Sequence, residues 1–102
     1  MQQAAAHAIL LRSVPAIGGT LPAGRIAVEL HYNSRIDAGR SRVVLIAPGG
    51  TETVLPVRAG AAPDELRAEA TVAPGAYTLR WQVLAIDGHI TRGDVPFTAD
   101  GP

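Results

Sequence analysis

The sequence predicts an all-β domain of about seven short strands, packed as an antiparallel sandwich or small barrel. Two observations lead to this prediction: apolar and polar residues alternate along several segments, and glycine and proline lie between these segments. A period of two directs successive side chains to opposite faces of a strand, so that one face can enter a core while the other meets water. Short strands separated by such turn signals are typical of sandwiches and small barrels.

The alternation is clearest in two segments, Arg25–Tyr32 and Tyr77–Val83. In each of them, four apolar residues at every second position form one face, and mostly polar residues form the other. Five shorter segments complete the predicted set: Ala8–Val14, Arg42–Ala47, Thr53–Val57, Leu66–Val72 and Asp94–Thr98. Turns are expected where glycine and proline cluster, at Gly18–Gly19, Pro22–Gly24, Ala38–Gly39, Pro48–Gly50, Gly60–Pro63, Pro74–Gly75 and Asp87–Gly88.

The segment that begins at Pro74 has the pattern of a central strand in an immunoglobulin-like sandwich. Tyr77 follows the Pro74–Gly75 turn and is expected to be anchored near the corner where the strand begins. Trp81 lies two inward positions further on and is expected near the middle of the core. We therefore interpret both aromatic residues as core residues and not as ligand contacts.

Composition excludes several classes of function. The chain has 102 residues, enough for one domain, and its nine basic residues balance nine acidic ones, so bulk charge does not favour a nucleic-acid partner. Cysteine is absent, which excludes disulfides, thiolate catalysis and blue-copper centres. The apolar runs are far shorter than the ~20 residues of a membrane-spanning helix. Serine triads and phosphate-binding glycine motifs are not recognisable, so an enzyme is not expected.

The first residues are expected to lie outside the folded domain. Met1–Ala6 has the composition of a residual export signal or a cloning leader, and Ala4 and Ala6 occupy the −3 and −1 positions of a small-x-small cleavage site. Cleavage there would leave His7 as the first residue. We expect the domain to cover residues 7–99, with residues 100–102 as a tail.

Two of the three histidines, together with one aspartate, are the candidate metal ligands. Asp87 and His89 are two residues apart after the long strand, a spacing at which both side chains can meet one ion, although a plain solvated turn is the simpler interpretation. A terminal His7 would offer an amine and an imidazole, and with Asp87 and His89 it would form a nitrogen-rich set that suits Cu(II). His31 alternates out of phase with its apolar neighbours and is expected to be a surface residue.

Three blocks of sequence resemble a known family. They are Ala6–Leu10 with Ser13–Ala16 and Gly18, then Ser41–Leu45, and finally Trp81–Val83 with Asp87–His89, Gly93 and Phe97. In these blocks the chain resembles the CopC-type periplasmic copper-binding proteins, which are linked to copper resistance. The resemblance runs from His7 to about Thr98.

The resemblance implies a seven-stranded Greek-key sandwich or barrel of the immunoglobulin-like or cupredoxin-like type. It also implies export to the periplasm and Cu(II) held by the amine and imidazole of His7 together with Asp87 and His89. The implied role is a copper carrier or buffer, monomeric and not membrane-spanning, with an inner-membrane transporter of the CopD type or a cuproprotein as its partner.

The chain departs from the family pattern at two places that concern copper. Tyr32–Ser34 replaces a Phe-Ser-Glu stretch, so a carboxylate near the metal is lost at Ser34. The only methionine is Met1, so no thioether site for Cu(I) is expected. Two alternatives stay open: a metal-free sandwich that serves as an interaction module with a decayed copper site, and a copper oxygenase with an N-terminal histidine brace.

Overall fold

The computed structural model describes residues 8–101, and this part of the chain folds into nine β-strands. In chain order they are β1 (Leu10–Val14), β2 (Gly19–Pro22), β3 (Gly24–Tyr32), β4 (Ile36–Ile46), β5 (Glu52–Leu55), β6 (Arg58–Ala59), β7 (Glu65–Val72), β8 (Gly75–Ala85) and β9 (Ile90–Asp100). Within residues 8–101 there is no helix long and apolar enough to cross a membrane. The all-β prediction is confirmed.

The strands form two sheets that pack face to face. One sheet has four strands in the order β1-β3-β7-β6, and the other has five in the order β2-β9-β8-β4-β5. The chain crosses repeatedly between the sheets, because most hydrogen-bonded neighbours are not consecutive in sequence. This arrangement is a Greek-key β-sandwich, as the family resemblance implied.

The strand count and the direction of one strand differ from the prediction. β2 and β6 occupy segments that look like turns, because they have four and two residues and lie among glycine and proline. β2 also pairs in parallel with β9, whereas an entirely antiparallel sandwich was expected. The expected turn at Ala38–Gly39 lies inside β4, where pairing with β8 becomes irregular between Asp37 and Arg42. These short or irregular segments depend on their neighbours and not on a local alternating pattern.

The core lies between the sheets and contains all four aromatic residues, Tyr32, Tyr77, Trp81 and Phe97. The hydroxyl of Tyr77 donates a hydrogen bond to the carbonyl oxygen of Ala73 over 2.9 Å, which confirms the predicted anchor at the corner before β8. The rings of Tyr32 and Trp81 meet edge to face, with 5.3 Å between their centroids. This contact packs the end of β3 against the middle of β8, and each of these strands leads into a loop described next.

Candidate metal centre

A tight turn joins β8 to β9 and carries Asp87, Gly88 and His89. The N–H of Gly88 donates to the carbonyl of Ala85 over 2.9 Å, and the N–H of Ala85 donates to the carbonyl of His89 over 2.8 Å. Gly88 has φ +94°, a conformation that residues with a side chain rarely adopt. The glycine therefore permits the reversal that brings the residues before and after it together.

Asp87 and His89 are in direct contact at this turn. Nδ1 of His89 lies 2.9 Å from Oδ2 of Asp87, and the backbone N–H of His89 donates to Oδ1 of Asp87 over 3.1 Å. Both side chains are accessible, with 29% of Asp87 and 53% of His89 exposed. The hydrogen bond from the His89 ring, followed by the one from its backbone, lowers the pKa of Asp87, so the carboxylate is ionised at neutral pH.

The spacing of these two atoms suits neighbouring ligands of one ion. Two donors at right angles, each about 2.0 Å from a metal, are about 2.8 Å apart. The 2.9 Å between Nδ1 of His89 and Oδ2 of Asp87 is close to this value. Small movements in the exposed turn would therefore let both side chains bind the same tetragonal ion.

The start of the described chain lies at the same end of the sandwich as this turn. Ile9 exchanges two hydrogen bonds with Asn33, one from its N–H to Oδ1 of Asn33 over 2.8 Å and one from the N–H of Asn33 to its carbonyl over 3.0 Å. Two residues further on, the carbonyl of Arg35 accepts a hydrogen bond from the N–H of Ile86. The β3–β4 loop thus holds both the segment after His7 and the segment before Asp87.

His7 and the Met1–Ala6 leader lie outside the described residues, so the predicted three-residue set can be described only in part. Asp87 and His89 are brought together, and the chain that leads back to His7 is attached to the same loop. At Ser34, where the family pattern has a carboxylate, the hydroxyl oxygen is buried and has no hydrogen-bond partner within residues 8–101. The role of Asn33 in holding Ile9 was not predicted, because it depends on contact between residues 24 positions apart.

His31 does not match its prediction as a plain surface residue. It is on the outer face of β3, as the alternation predicted, but only 17% of its side chain is exposed. Nε2 of His31 lies 3.1 Å from Oε1 of Glu29 and 3.8 Å from Oε2 of Glu65. The sequence places Glu29 near His31, whereas Glu65 becomes its neighbour only through the pairing of β3 with β7.

These features define a class of protein: a small Greek-key β-sandwich with an Asp-Gly-His turn at one end. The segment that leads into β1, residues 8–9, lies at the same end. The family model of the CopC domain matches residues 10–100. The chain belongs to the CopC family, which agrees with the resemblance found in its sequence.

Individual relatives are distant in sequence and close in structure. Protein YobA of Escherichia coli K12 and that of Shigella flexneri are each 27% identical over 97 residues, which cover 91% of this chain and 78% of the relative. The crystal structure of CopC from Methylosinus trichosporium OB3b superposes with a TM-score of 0.86 at 27% identity, covering 93% of this chain and 95% of that one. PcoC, a methionine-rich copper resistance protein from Escherichia coli, has the same fold, with a TM-score of 0.75 at 20% identity over 93% of this chain and all of the other.

Proposed function

We propose that this domain is a periplasmic Cu(II)-binding protein that carries or buffers copper. Its ligands are the amine and imidazole of His7, the carboxylate of Asp87 and the imidazole of His89. The amine of His7 becomes free once Met1–Ala6 is removed. The observation that carries the proposal is the 2.9 Å approach of an ionised Asp87 carboxylate to His89 in an accessible turn. Membership of the CopC family and the copper resistance named for PcoC support it.

The donor set favours Cu(II) over Cu(I). An amine, two imidazoles and a carboxylate are nitrogen and oxygen donors that suit tetragonal Cu(II), whereas Cu(I) prefers thiolates and thioethers. The chain has no cysteine, and its one methionine is Met1, which is removed with the leader. Methionine-rich PcoC differs from this chain in that respect.

Transport rather than catalysis suits the surroundings of the turn. Asp87 and His89 are exposed at the end of a rigid sandwich, where an ion can pass directly to a partner such as an inner-membrane transporter of the CopD type or a cuproprotein. A polysaccharide-oxidising copper enzyme would need a broad face for its substrate, and all four aromatic residues are instead buried in the core. The anionic Asp87 would also stabilise Cu(II) against the reduction that oxygen activation requires.

The test is a Cu(II) titration followed by EPR on the chain trimmed to begin at His7. We expect one tight, nitrogen-rich tetragonal site per chain. Asp87→Asn and His89→Gln should each weaken binding about tenfold or more, since loss of even an outer contact to a metal site commonly has an effect of this size. Asp94→Asn is the matched control, because Asp94 is an exposed aspartate of β9 that pairs with Arg80.

The outcomes separate the copper carrier from the metal-free interaction module. Weak, heterogeneous binding to the trimmed chain would favour a decayed site and the metal-free module. If Asp87→Asn and Asp94→Asn lowered the Cu(II) affinity equally, general surface charge, and not the turn, would be what attracts the ion. Peroxide-dependent oxidation of a polysaccharide that is abolished by His89→Gln would instead favour the oxygenase.

A further inference from the structure

Glu29, His31 and Glu65 form a second group of metal-ligating side chains on the outer face of the four-stranded sheet. Glu29 and His31 are two residues apart in β3 and share that face, and His31 pairs across the strands with Glu65 of β7. The Asp87–His89 turn belongs to the other sheet. The group is therefore separate from the Asp87–His89 turn, and within residues 8–101 it is the one such group that the structure brings together.

The distances within the group suit a single ion. One ligand atom from each of the three residues lies within 4.8 Å of the other two. Nε2 of His31 is 3.1 Å from the nearer Glu29 oxygen and 3.8 Å from the nearer Glu65 oxygen. Tetrahedral ligands with bonds of 2.0–2.2 Å are about 3.4 Å apart, so the two distances bracket the required value.

Glu65 is held rigidly and largely out of water. Only 6% of its side chain is exposed, because the backbone at Gly60 lies flat against it: a Cβ added at Gly60 would come within 2.6–2.8 Å of three Glu65 carbons. Two nitrogens of Arg67, Nε and Nη2, lie 2.9 and 2.8 Å from Oε2 of Glu65, and this contact lowers the pKa of Glu65. The buried carboxylate is therefore ionised and already oriented toward His31.

The net negative charge of the group and its incomplete hydrogen bonding both favour a bound cation. Two carboxylates approach the same nitrogen, Nε2 of His31, which can carry only one proton and so can donate to only one of them at a time. The formal charges of the Glu29, Glu65 and Arg67 side chains add up to −1, because Arg67 is paired with only one of the two glutamates. A divalent ion at this point would replace the shared proton and contact all three side chains at once.

We propose that Glu29, His31 and Glu65 form a second site, for a divalent transition-metal ion of the Zn(II) type. One imidazole and two carboxylates suit Zn(II), whereas Ca(II) prefers an all-oxygen shell of six to eight ligands. The site is weaker than the proposed copper site, because Arg67 competes for Oε2 of Glu65 and Arg12 lies opposite His31 on β1. It would let the protein bind a second metal without occupying the Asp87–His89 turn.

The experiment titrates Zn(II) alone into the full 102-residue chain carrying His89→Gln, which removes a proposed copper ligand and leaves the second group intact. Calorimetry gives the stoichiometry, and amide and arginine Nε–H NMR signals locate the ion. We expect one Zn(II) per chain, with the largest shifts at residues 29, 31 and 65 and at the Nε–H of Arg67. His31→Gln and Glu29→Gln, each added to this background, should lower the affinity about tenfold or more.

Glu69→Gln is the matched control for Glu29→Gln. Glu69 is on the same outer face of β7 but pairs with Arg25 and Arg58, so its loss changes the charge of the face without removing a ligand. Glu29 is substituted rather than Glu65, because a change at the buried Glu65 would also break its ion pair with Arg67. Zn(II) binding that survives His31→Gln unchanged, or that falls equally with Glu69→Gln and Glu29→Gln, would overturn the proposal whatever happens at the copper site.

Discussion

Asp87 accepts two hydrogen bonds from His89, one from the ring and one from the backbone N–H. Both favour the ionised carboxylate, so the pKa of Asp87 is lower in the folded protein than in the unfolded chain. A lowered carboxyl pKa contributes stability above the unfolded value of about 3.9, and this contribution is lost as the pH falls through the folded value. We therefore expect Asp87→Asn to destabilise the metal-free protein at pH 7, and the difference in stability to shrink as the pH falls through the folded pKa of Asp87.

Thermal unfolding at several pH values measures this effect. The melting temperatures of the parent and of Asp87→Asn should differ at pH 7 and converge as the pH is lowered. Asp64→Asn is the control for loss of a carboxylate, since the ion pairs formed within residues 8–101 do not include Asp64. A pH-independent difference for Asp87→Asn would contradict the electrostatic explanation.

The chain with Met1–Ala6 attached should bind Cu(II) more weakly than the chain trimmed to begin at His7. In the longer chain the nitrogen of His7 is an amide, so one proposed ligand is missing. A free amine takes up a proton near pH 8, and binding through it releases that proton, so the affinity of the trimmed chain should also change more steeply between pH 8 and pH 6. Below about pH 6 protons compete for the imidazoles of both chains, and both should lose copper. Titrations of the two chains at matched pH values make the comparison, and equal affinities would rule out the amine as a ligand.

Asn33 should act as a positioning residue for residues 8–9, the segment that leads into β1. Its Oδ1 accepts the N–H of Ile9, two residues after His7, so Asn33→Ala would remove one of the two hydrogen bonds that hold the chain leading back to a proposed ligand. We expect the Cu(II) affinity of the trimmed chain to fall about tenfold, an effect typical of outer contacts at metal sites. Asn33→Asp keeps an acceptor oxygen and should retain tight binding. If Asn33→Ala binds copper as tightly as the parent while its fold is intact by NMR, Asn33 has no such role.

Sequence patterns predicted the parts of the fold that depend on local order. The alternation in β3 and β8 is a property of consecutive residues, and Asp87 and His89 are close in sequence as well as in space. The parallel pairing of β2 with β9 could not be predicted in this way, because it joins residues such as Gly19 and Phe97 that are far apart in the chain. The burial of His31 beside Glu65 likewise depends on the register between β3 and β7, which no single segment encodes.

The two buried tyrosines should respond in opposite ways to loss of their hydroxyl groups. Tyr77→Phe removes the hydrogen bond to the carbonyl of Ala73, and we expect this to lower the free energy of unfolding by about 1 kcal/mol. The hydroxyl of Tyr32 is buried without a hydrogen-bond partner within residues 8–101, and burial raises its pKa far above the usual value. Tyr32→Phe should therefore be neutral or stabilising. Urea unfolding of both variants is the measurement. A larger loss of unfolding free energy in Tyr32→Phe than in Tyr77→Phe would contradict the absence of a hydrogen bond at the Tyr32 hydroxyl, and no loss in Tyr77→Phe would contradict the corner hydrogen bond.

Gly93 should be intolerant of any side chain, because Trp81 occupies the space where a Cβ would lie. An added Cβ would overlap Cζ2 of the indole and come within 2.7 Å of Cε2, so the ring or the β9 backbone must move. Overpacking of this kind typically costs about 1–3 kcal/mol, and we expect Gly93→Ala to fall in that range and to alter the fluorescence of Trp81. Gly49→Ala is the control, since a Cβ there meets nothing within 4 Å and no positive φ is required. Equal stability of the two variants in denaturant unfolding would mean that Trp81 does not pack against β9 as described.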